Sequence, residues 1–342
     1  MKPGVPLIFV LAVQFASAQK STVSFSSIDM SVTKIESPSP ADLAAKLTHS
    51  YKTDIEKTRA IFSWIAQHIS YGVKPSESFS DKDVSSQSVT AEGDTSTTLT
   101  PLNELVSEDV LKKRTALCYG YSRLFKCLCD HAGIPCEIIN GYGRGDLYRM
   151  GNNFHTNHSW NAVWLDSTWQ LVDVTWASGY FTYNSNEFIR HFDDQYFLTP
   201  PEQFALDHFP DDLKWSLLQQ PPTPREFLRS PYKGRCFVKY NIIAYSPAAG
   251  VIYASVGDTI NFTVQTNLTD DRNIGGGSLE DTTNLLNSPA IAYCTPVVTD
   301  KANIIHYKYV VHSANEQWLQ LVYNDDMILR YRLEINDEKA EK

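Results

Sequence analysis

Hydrophobic positions along this 342-residue chain first alternate, then recur at helical spacing, then alternate again. Over residues 19–37 they fall at Val23, Phe25, Ile28, Met30 and Val32, which predicts a strand packed on the main body. Ser37-Pro-Ser-Pro40 breaks that segment. Ala41 to Thr48 reads as a short helix, and Asp54 to Ile69 as a longer one with Ile55, Ala60, Ile61, Trp64, Ile65 and Ile69 on one stripe. The clearest helical pattern follows Thr115, where Leu117, Tyr121, Leu124, Phe125, Leu128 and Ala132 share a face until Gly133 and Pro135 stop it. With Thr115 as cap, Cys118 falls in the first turn of this helix.

Period-two patterns take over at Cys136-Glu-Ile-Ile-Asn-Gly-Tyr-Gly, a strand ending in glycines. Two further strands, His158 to Leu165 and Thr168 to Val174, flank Asp166-Ser167. A two-residue turn there sets Leu165 opposite Thr168, Trp160 opposite Asp173 and His158 opposite Thr175. His158 and Asp173 then share a face as diagonal neighbours. Segments around Tyr180-Phe181, Tyr196 to Glu202 and His208 to Asp212 read as irregular cover, closing near Pro231. From about Arg235, seven short strand-like runs predict an all-β sandwich over 235–336: Phe237–Tyr245, Val251–Ala254, Thr259–Thr266, Ile291–Thr299, Ile304–His312, Trp318–Tyr323 and Met327–Ile335. Residues 267–289 form its long loop, and 337–342 a charged tail.

Composition adjusts this picture in three places. Residues 1–18 have the order of a secretory signal: Lys2, the apolar run Leu7 to Val13, then Ala16-Ser17-Ala18 as a cleavage site. That run is too short to span a bilayer, so an exported chain with no integral membrane segment is expected, periplasmic or extracellular. Residues 76–100 hold twelve Ser or Thr, too polar to order by burial, and are expected to be a mobile surface insertion or a flap over a cleft. The formal charge of -9 becomes -10 without Lys2, an acidic surface that opposes nucleic acid and anionic membranes. Hydrophobic residues at 42% leave ample material for a large core, and the length suits two domains, 19–234 and 235–336.

Six cysteines are too few for a disulfide scaffold, and four of them (Cys118, Cys127, Cys129, Cys136) crowd into one helix and turn. Cys127 and Cys129 face different sides of a helix, so mostly unpaired, buried thiols are expected. A metal site from Cys127, Cys129, His131 and Cys136 has suitable chemistry, but Cys-x-Cys on a helix does not converge on one ion. Neither metal nor cofactor is expected.

Cys118, His158 and Asp173 together have the makings of nucleophile, base and orienting carboxylate. Free N–H groups and the dipole at a helix start favour negative charge there, and the Cys118 N–H is one donor for an oxyanion. A small buried hydrophobe is the alternative for that cysteine. Trp160 and Trp176 either shield the imidazole and carboxylate or belong to the aromatic core; Tyr71 and Tyr119 are further candidates to border the cleft. The sequence pairs His155, His191 and His208 with no second functional group, and they are assigned local hydrogen bonds. Asn157-His-Ser159, Asn261-Phe-Thr263 and Asn267-Leu-Thr269 match the glycosylation pattern, which short sequences meet by chance.

Arg114-Thr-Ala-Leu-Cys-Tyr-Gly-Tyr-Ser-Arg-Leu-Phe, Ala132-Gly-Ile, His158-Ser-Trp-Asn-Ala-Val and Trp169-Gln-Leu-Val-Asp-Val-Thr-Trp resemble the cysteine, histidine and aspartate motifs of the transglutaminase-like superfamily. Lys57-Thr-Arg-Ala-Ile-Phe-Ser-Trp-Ile and Ile69-Ser-Tyr71 are similar to its kyphoscoliosis-peptidase-like branch, and Phe197-Leu-Thr-Pro-Pro-Glu with His208-Phe-Pro-Asp-Asp to secreted bacterial members. The resemblance covers about residues 40–230. It implies a papain-like α+β core, a cysteine helix packed on an antiparallel sheet, with Cys118, His158 and Asp173 at the catalytic positions. Ala116 and Ser122 stand where the motif often has glycine and alanine.

The resulting expectation is an exported cysteine acyl-transfer enzyme that cleaves protein or peptide amides through a thioester. Hydrolysis is preferred because the resemblance is to peptidase-like branches and no calcium-ligand loop is evident. Cross-linking to an amine and a non-turnover cell-envelope scaffold, with the sandwich holding a partner, are the alternatives.

Overall fold

A computed structural model of the chain describes residues 25–72, 101–144, 154–181, 188–267, 290–299 and 303–336. The expected signal sequence, the Ser/Thr-rich insertion, the 267–289 loop beyond Asn267 and the charged tail lie outside the described residues. No helix among the described residues is long and apolar enough to cross a membrane.

The first described segment is helical, Ser26–Ser31 followed by a 3-10 turn Val32–Lys34, which corrects the expected strand. Phe25, Ile28 and Val32 are spaced by three and four, and Ile28 and Val32 are buried while Met30 is exposed. Asp29 holds this helix down by a two-pronged pair with the buried Arg59 guanidinium (2.8 and 2.7 Å), which also bonds Asp194 and lies over the rings of Phe25, Phe62, Phe192 and Phe197.

Pro40–Thr48 and Asp54–His68 form as the sequence predicts, the second entered through a capping box between Thr53 and Glu56. A further helix, Leu102–Lys113, was hidden by its short apolar stripe of Val106, Val110 and Leu111. Arg114 ends it in a left-handed conformation (φ 58°), and Thr115–Ala116 then pairs in parallel with Ser70–Tyr71. In that ladder the Ser70 N–H donates to the Arg114 carbonyl (2.9 Å) and the Gly72 N–H to the Ala116 carbonyl (3.1 Å), which holds residues 115–116 extended. Leu117 is therefore the cap, Cys118–His131 is the helix, and Cys118 is its first residue rather than its third.

The cysteine helix packs on an antiparallel sheet of five strands. Their order is Phe197–Thr199, Thr168–Val172, His158–Leu165, Cys136–Gly143 and His208–Pro210. Leu165 pairs with Thr168 and the register runs unbroken to Asn161 with Val172. Asp166 and Ser167 both have positive φ (49° and 64°), the primed turn that matches strand twist. Buried Asn161 ties helix to sheet, its amide donating to the carbonyls of Ser122 (3.1 Å) and Glu137 (3.2 Å).

Downstream, two sheets bury one shared cluster that includes Phe262, Val264, Ile305 and Tyr307 from one and Leu319, Leu321, Leu329 and Tyr331 from the other. This is the expected sandwich, with two local corrections. Phe237–Tyr245 divides into a helix Arg235–Lys239 and a strand Ile242–Ser246, because Phe237 and Tyr240 turn the same way into the core. Ile291–Thr299 divides into Ile291–Cys294 and Pro296–Thr299, which belong to different sheets and change over beside a proline.

Candidate active site

Asp173 leaves the sheet one residue after the ladder ends, so it does not pair across from Trp160 as expected. It caps the short helix Val174–Ser178 instead. Its Oδ1 accepts the N–H groups of Thr175 (2.9 Å) and Trp176 (3.0 Å), and its own N–H donates to the Tyr196 carbonyl (3.0 Å). These bonds leave Oδ2 facing the sheet. There it meets Nε2 of His158 at 2.6 Å, with both side chains buried. The expected neighbours do meet, through a cap rather than a cross-strand diagonal.

Burial opposes a charge on His158, but the Asp173 carboxylate and its hydrogen bond outweigh it and the ring is pushed up to about 10. For Asp173 burial works the other way, and the two imidazoles beside it hold its carboxyl far below the usual carboxylate range. Cys118 is close enough to the His158 ring to add to the rise in its proton affinity, after the larger effect of Asp173. Asp173 occupies Nε2, which leaves Nδ1 as the ring nitrogen for any proton exchanged with a further group. Cys118 is 7% exposed, and Ser122 donates to its carbonyl (3.0 Å). No side chain caps this helix start, so the Cys118 N–H has no partner within the helix.

His208 corrects the sequence expectation most directly. It was assigned a local role, yet its Nε2 lies 3.0 Å from the same Asp173 Oδ2, and its Nδ1 lies 2.6 Å from Asp207 Oδ1. The edge strand that carries it pairs His208 with Gly143, and His158 pairs with Gly141 on the other side. The two glycines make this approach possible. A Cβ on Gly143 would stand 3.0 Å from both His158 Cβ and Trp176 Cζ2, and one on Gly141 would strike the Phe209 carbonyl. A strand ending Gly-Tyr-Gly beside a His-Phe-Pro segment was the available signal.

Trp176 stacks on His158 (centroids 5.0 Å apart, 24°) and lies 4.3 Å from His208, so it covers both rings. Trp160 is 1% exposed, packed among Ile139, Phe204 and Leu171, which puts it behind the histidines in the core. Tyr71 is half-buried on the two-residue strand beside Thr115–Ala116, 6.3 Å from the Tyr121 ring. Tyr119 is half-buried under the Arg123 guanidinium. Asn157, a candidate glycosylation site, uses its amide to grip Gly143, accepting from its N–H (2.7 Å) and donating to its carbonyl (3.1 Å).

Among the described residues, two groups of side chains come close enough to consider an ion: His158, Asp173 and His208, and Glu104, Cys127 and His131. In the second, Glu104 Oε2 accepts from Cys127 (3.1 Å) and pairs with His131 (2.9 Å). Two ligands of one zinc ion stand about 3.3 Å apart or more, so both groups have the spacing of shared protons. All six cysteines are free thiols.

Residues 41–174 match the model of the transglutaminase-like superfamily. The segment that carries Cys118, His158 and Asp173 is thus a transglutaminase-like domain. Kyphoscoliosis peptidase of Mus musculus is 32% identical over 231 residues, covering 67% of this chain and 32% of that protein. Hillarin of Drosophila melanogaster is 30% identical over 237 residues, covering 63% of this chain and 25% of that protein. The chain spans about a third or less of the length of these relatives. Among solved structures, the periplasmic domain of TgpA from Pseudomonas aeruginosa aligns with 45% of this chain and 49% of its own, at 19% identity and a TM-score of 0.28.

Proposed function

We propose that this chain is an exported cysteine acyl-transfer enzyme that hydrolyses amide bonds of proteins or peptides. The observation that carries this reading is the buried His158 ring, bonded to Asp173 through Nε2 at 2.6 Å and close enough to Cys118 for the sulfur to add to its proton affinity. Cys118 Sγ attacks the amide carbonyl, and its own N–H donates to the oxyanion. The C–N bond breaks as imidazolium His158 gives its proton to the leaving amine, which leaves a thioester on Cys118. Neutral His158 then takes a proton from water, hydroxide adds to the thioester, and acid and thiol are released. Asp173 holds the ring in one tautomer throughout. Hydrolysis over cross-linking is favoured by the name of the mouse relative, a peptidase. Export rests on the composition of residues 1–18, and the sandwich over 235–336 is the candidate surface for a cell-envelope partner.

The test is incubation of the full chain and of Cys118→Ala with denatured casein, with and without a fluorescent primary amine. New peptides and a Cys118-linked acyl adduct in wild type alone support hydrolysis. Amine incorporated into casein instead makes the enzyme a transglutaminase, and no adduct under either condition leaves a scaffold.

A further inference from the structure

Asp207 and His208 lie beyond the 41–174 superfamily segment, yet they complete the hydrogen bonding of Asp173. The His208 side chain is fully buried between two carboxylates, Asp207 at Nδ1 (2.6 Å) and Asp173 at Nε2 (3.0 Å). Neutral imidazole offers one donor and one acceptor, so two ionised carboxylates demand the imidazolium. The charged or titratable groups facing it are those two acids, His158 beyond Asp173, Arg144 whose charge faces Asp207, and Tyr196 at a ring distance of 6.2 Å. The remaining walls are Trp176, Phe204 and Trp160. Asp207 itself is fastened at the backbone, its carbonyl accepting the Arg144 N–H (2.7 Å).

We propose that Asp207 and His208 are a positioning pair that grips Asp173 by a charged hydrogen bond to the same Oδ2 that meets His158, fixing that oxygen on His158 and dividing its charge between two imidazoles. The inference rests on the reading of Cys118, His158 and Asp173 given above. A positive ring one carboxylate away has three effects. It keeps Asp173 ionised, it loosens that carboxylate's hold on the His158 proton, and it adds positive potential toward the sulfur. Removing the charge makes every acid nearby release its proton at higher pH.

The experiment is the rate of Cys118 carboxamidomethylation by iodoacetamide, followed by peptide mass spectrometry from about pH 5 to 9, on full-length wild type, H158Q, H208Q and D207N. H208Q is expected to slow the reaction on the acid limb of its pH profile by about threefold or more, the change that a half-unit shift gives. The limb itself should move up by about half a unit or more. D207N nearly preserves shape and lets His208 keep its Nε2 proton while losing its charge, so the limb moves the same way by less. D207N also carries the test if H208Q fails to fold. An unmoved limb in both variants, or in D207N a rate loss equal at every pH, overturns the pair. If H158Q leaves Cys118 alkylation unchanged, the catalytic reading itself fails. If H158Q is slow while H208Q and D207N match wild type, only the positioning role fails.

Discussion

One helix, Cys118–His131, brings a cysteine toward a histidine and a carboxylate at each end: Cys118 near His158 and its partner Asp173 at its start, Cys127 with His131 and Glu104 in its last turns. Both thiols are buried, Cys118 at 7% exposure and Cys127 at 3%, so burial alone does not distinguish them. The order of contact does. At the start the carboxylate bonds the histidine, and Cys118 bears on that ring rather than on Asp173. Near the end the carboxylate stands between, and Glu104 accepts from Cys127 and His131 at once. Burial first, and then Glu104 itself, push the Cys127 thiol up to about 12. The same three residue types give a base beside one sulfur and a repelling charge beside the other.

The largest expected difference between the two ends is in covalent reactivity. Cys118→Ala should abolish the fast phase of iodoacetamide labelling and all acyl transfer, while Cys127→Ala leaves both intact. Peptide mapping of the labelled protein reads this directly, and equal labelling of Cys127 in wild type would erase the distinction. Next in size is Asp173→Asn, which keeps the cap to Thr175 and Trp176 but turns an amide N–H toward His158 Nε2. The ring is then held as the tautomer protonated on the side of the sulfur and cannot act as base. A loss of turnover on the order of 10⁴ is expected, with the fold retained by circular dichroism.

A smaller effect concerns stability. His158 is raised on folding, so its contribution is complete below its unfolded value of about 6.5 and is lost as pH rises through about 10. Asp173 is lowered, so its contribution is complete above about 3.9 and is lost only in strong acid. Melting temperature should therefore be highest between these limits and fall toward alkaline pH. His158→Gln is expected to flatten that alkaline fall by roughly 2–5 °C in scanning calorimetry. An equal alkaline slope in both proteins would mean that the ring gains no proton affinity on folding.

How much of this was legible in sequence follows from the range of each interaction. Helical periodicity gave the cysteine helix to within its last residues, and a two-residue turn gave the register from Leu165–Thr168 to Asn161–Val172. Both are local. The cap moved from Thr115 to Leu117 because residues 115–116 pair with Ser70–Tyr71, far away in sequence. His208 was missed for the same reason: it reaches Asp173 across a strand whose glycines carry no side chains, a fact of sheet order rather than of spacing. Glu104 likewise joined Cys127 and His131 from a helix whose weak apolar stripe concealed it. Phe25 to Val32 mimicked a strand because exposed Met30 falls two residues from both Ile28 and Val32 and completes an apparent alternation.

The smallest expected effect is the most pointed, since it asks whether order of contact or burial keeps Cys127 inert. Glu104→Gln retains an oxygen that accepts from Cys127 and removes the charge. Glu104 is about one-quarter exposed and His131 one-third, so the cost in stability should stay within about 1 kcal/mol by urea denaturation. Without that charge the Cys127 thiol should ionise more readily, but the larger cause, its burial, remains. Alkylation of Cys127 should therefore rise by less than about tenfold and stay well below that of Cys118. A Glu104→Gln protein in which both cysteines label at one rate would show that the carboxylate alone separated them. In that case the helix start and the His158 ring contribute little to the reactivity of Cys118, and the contrast between the two ends of the helix reduces to one misplaced charge.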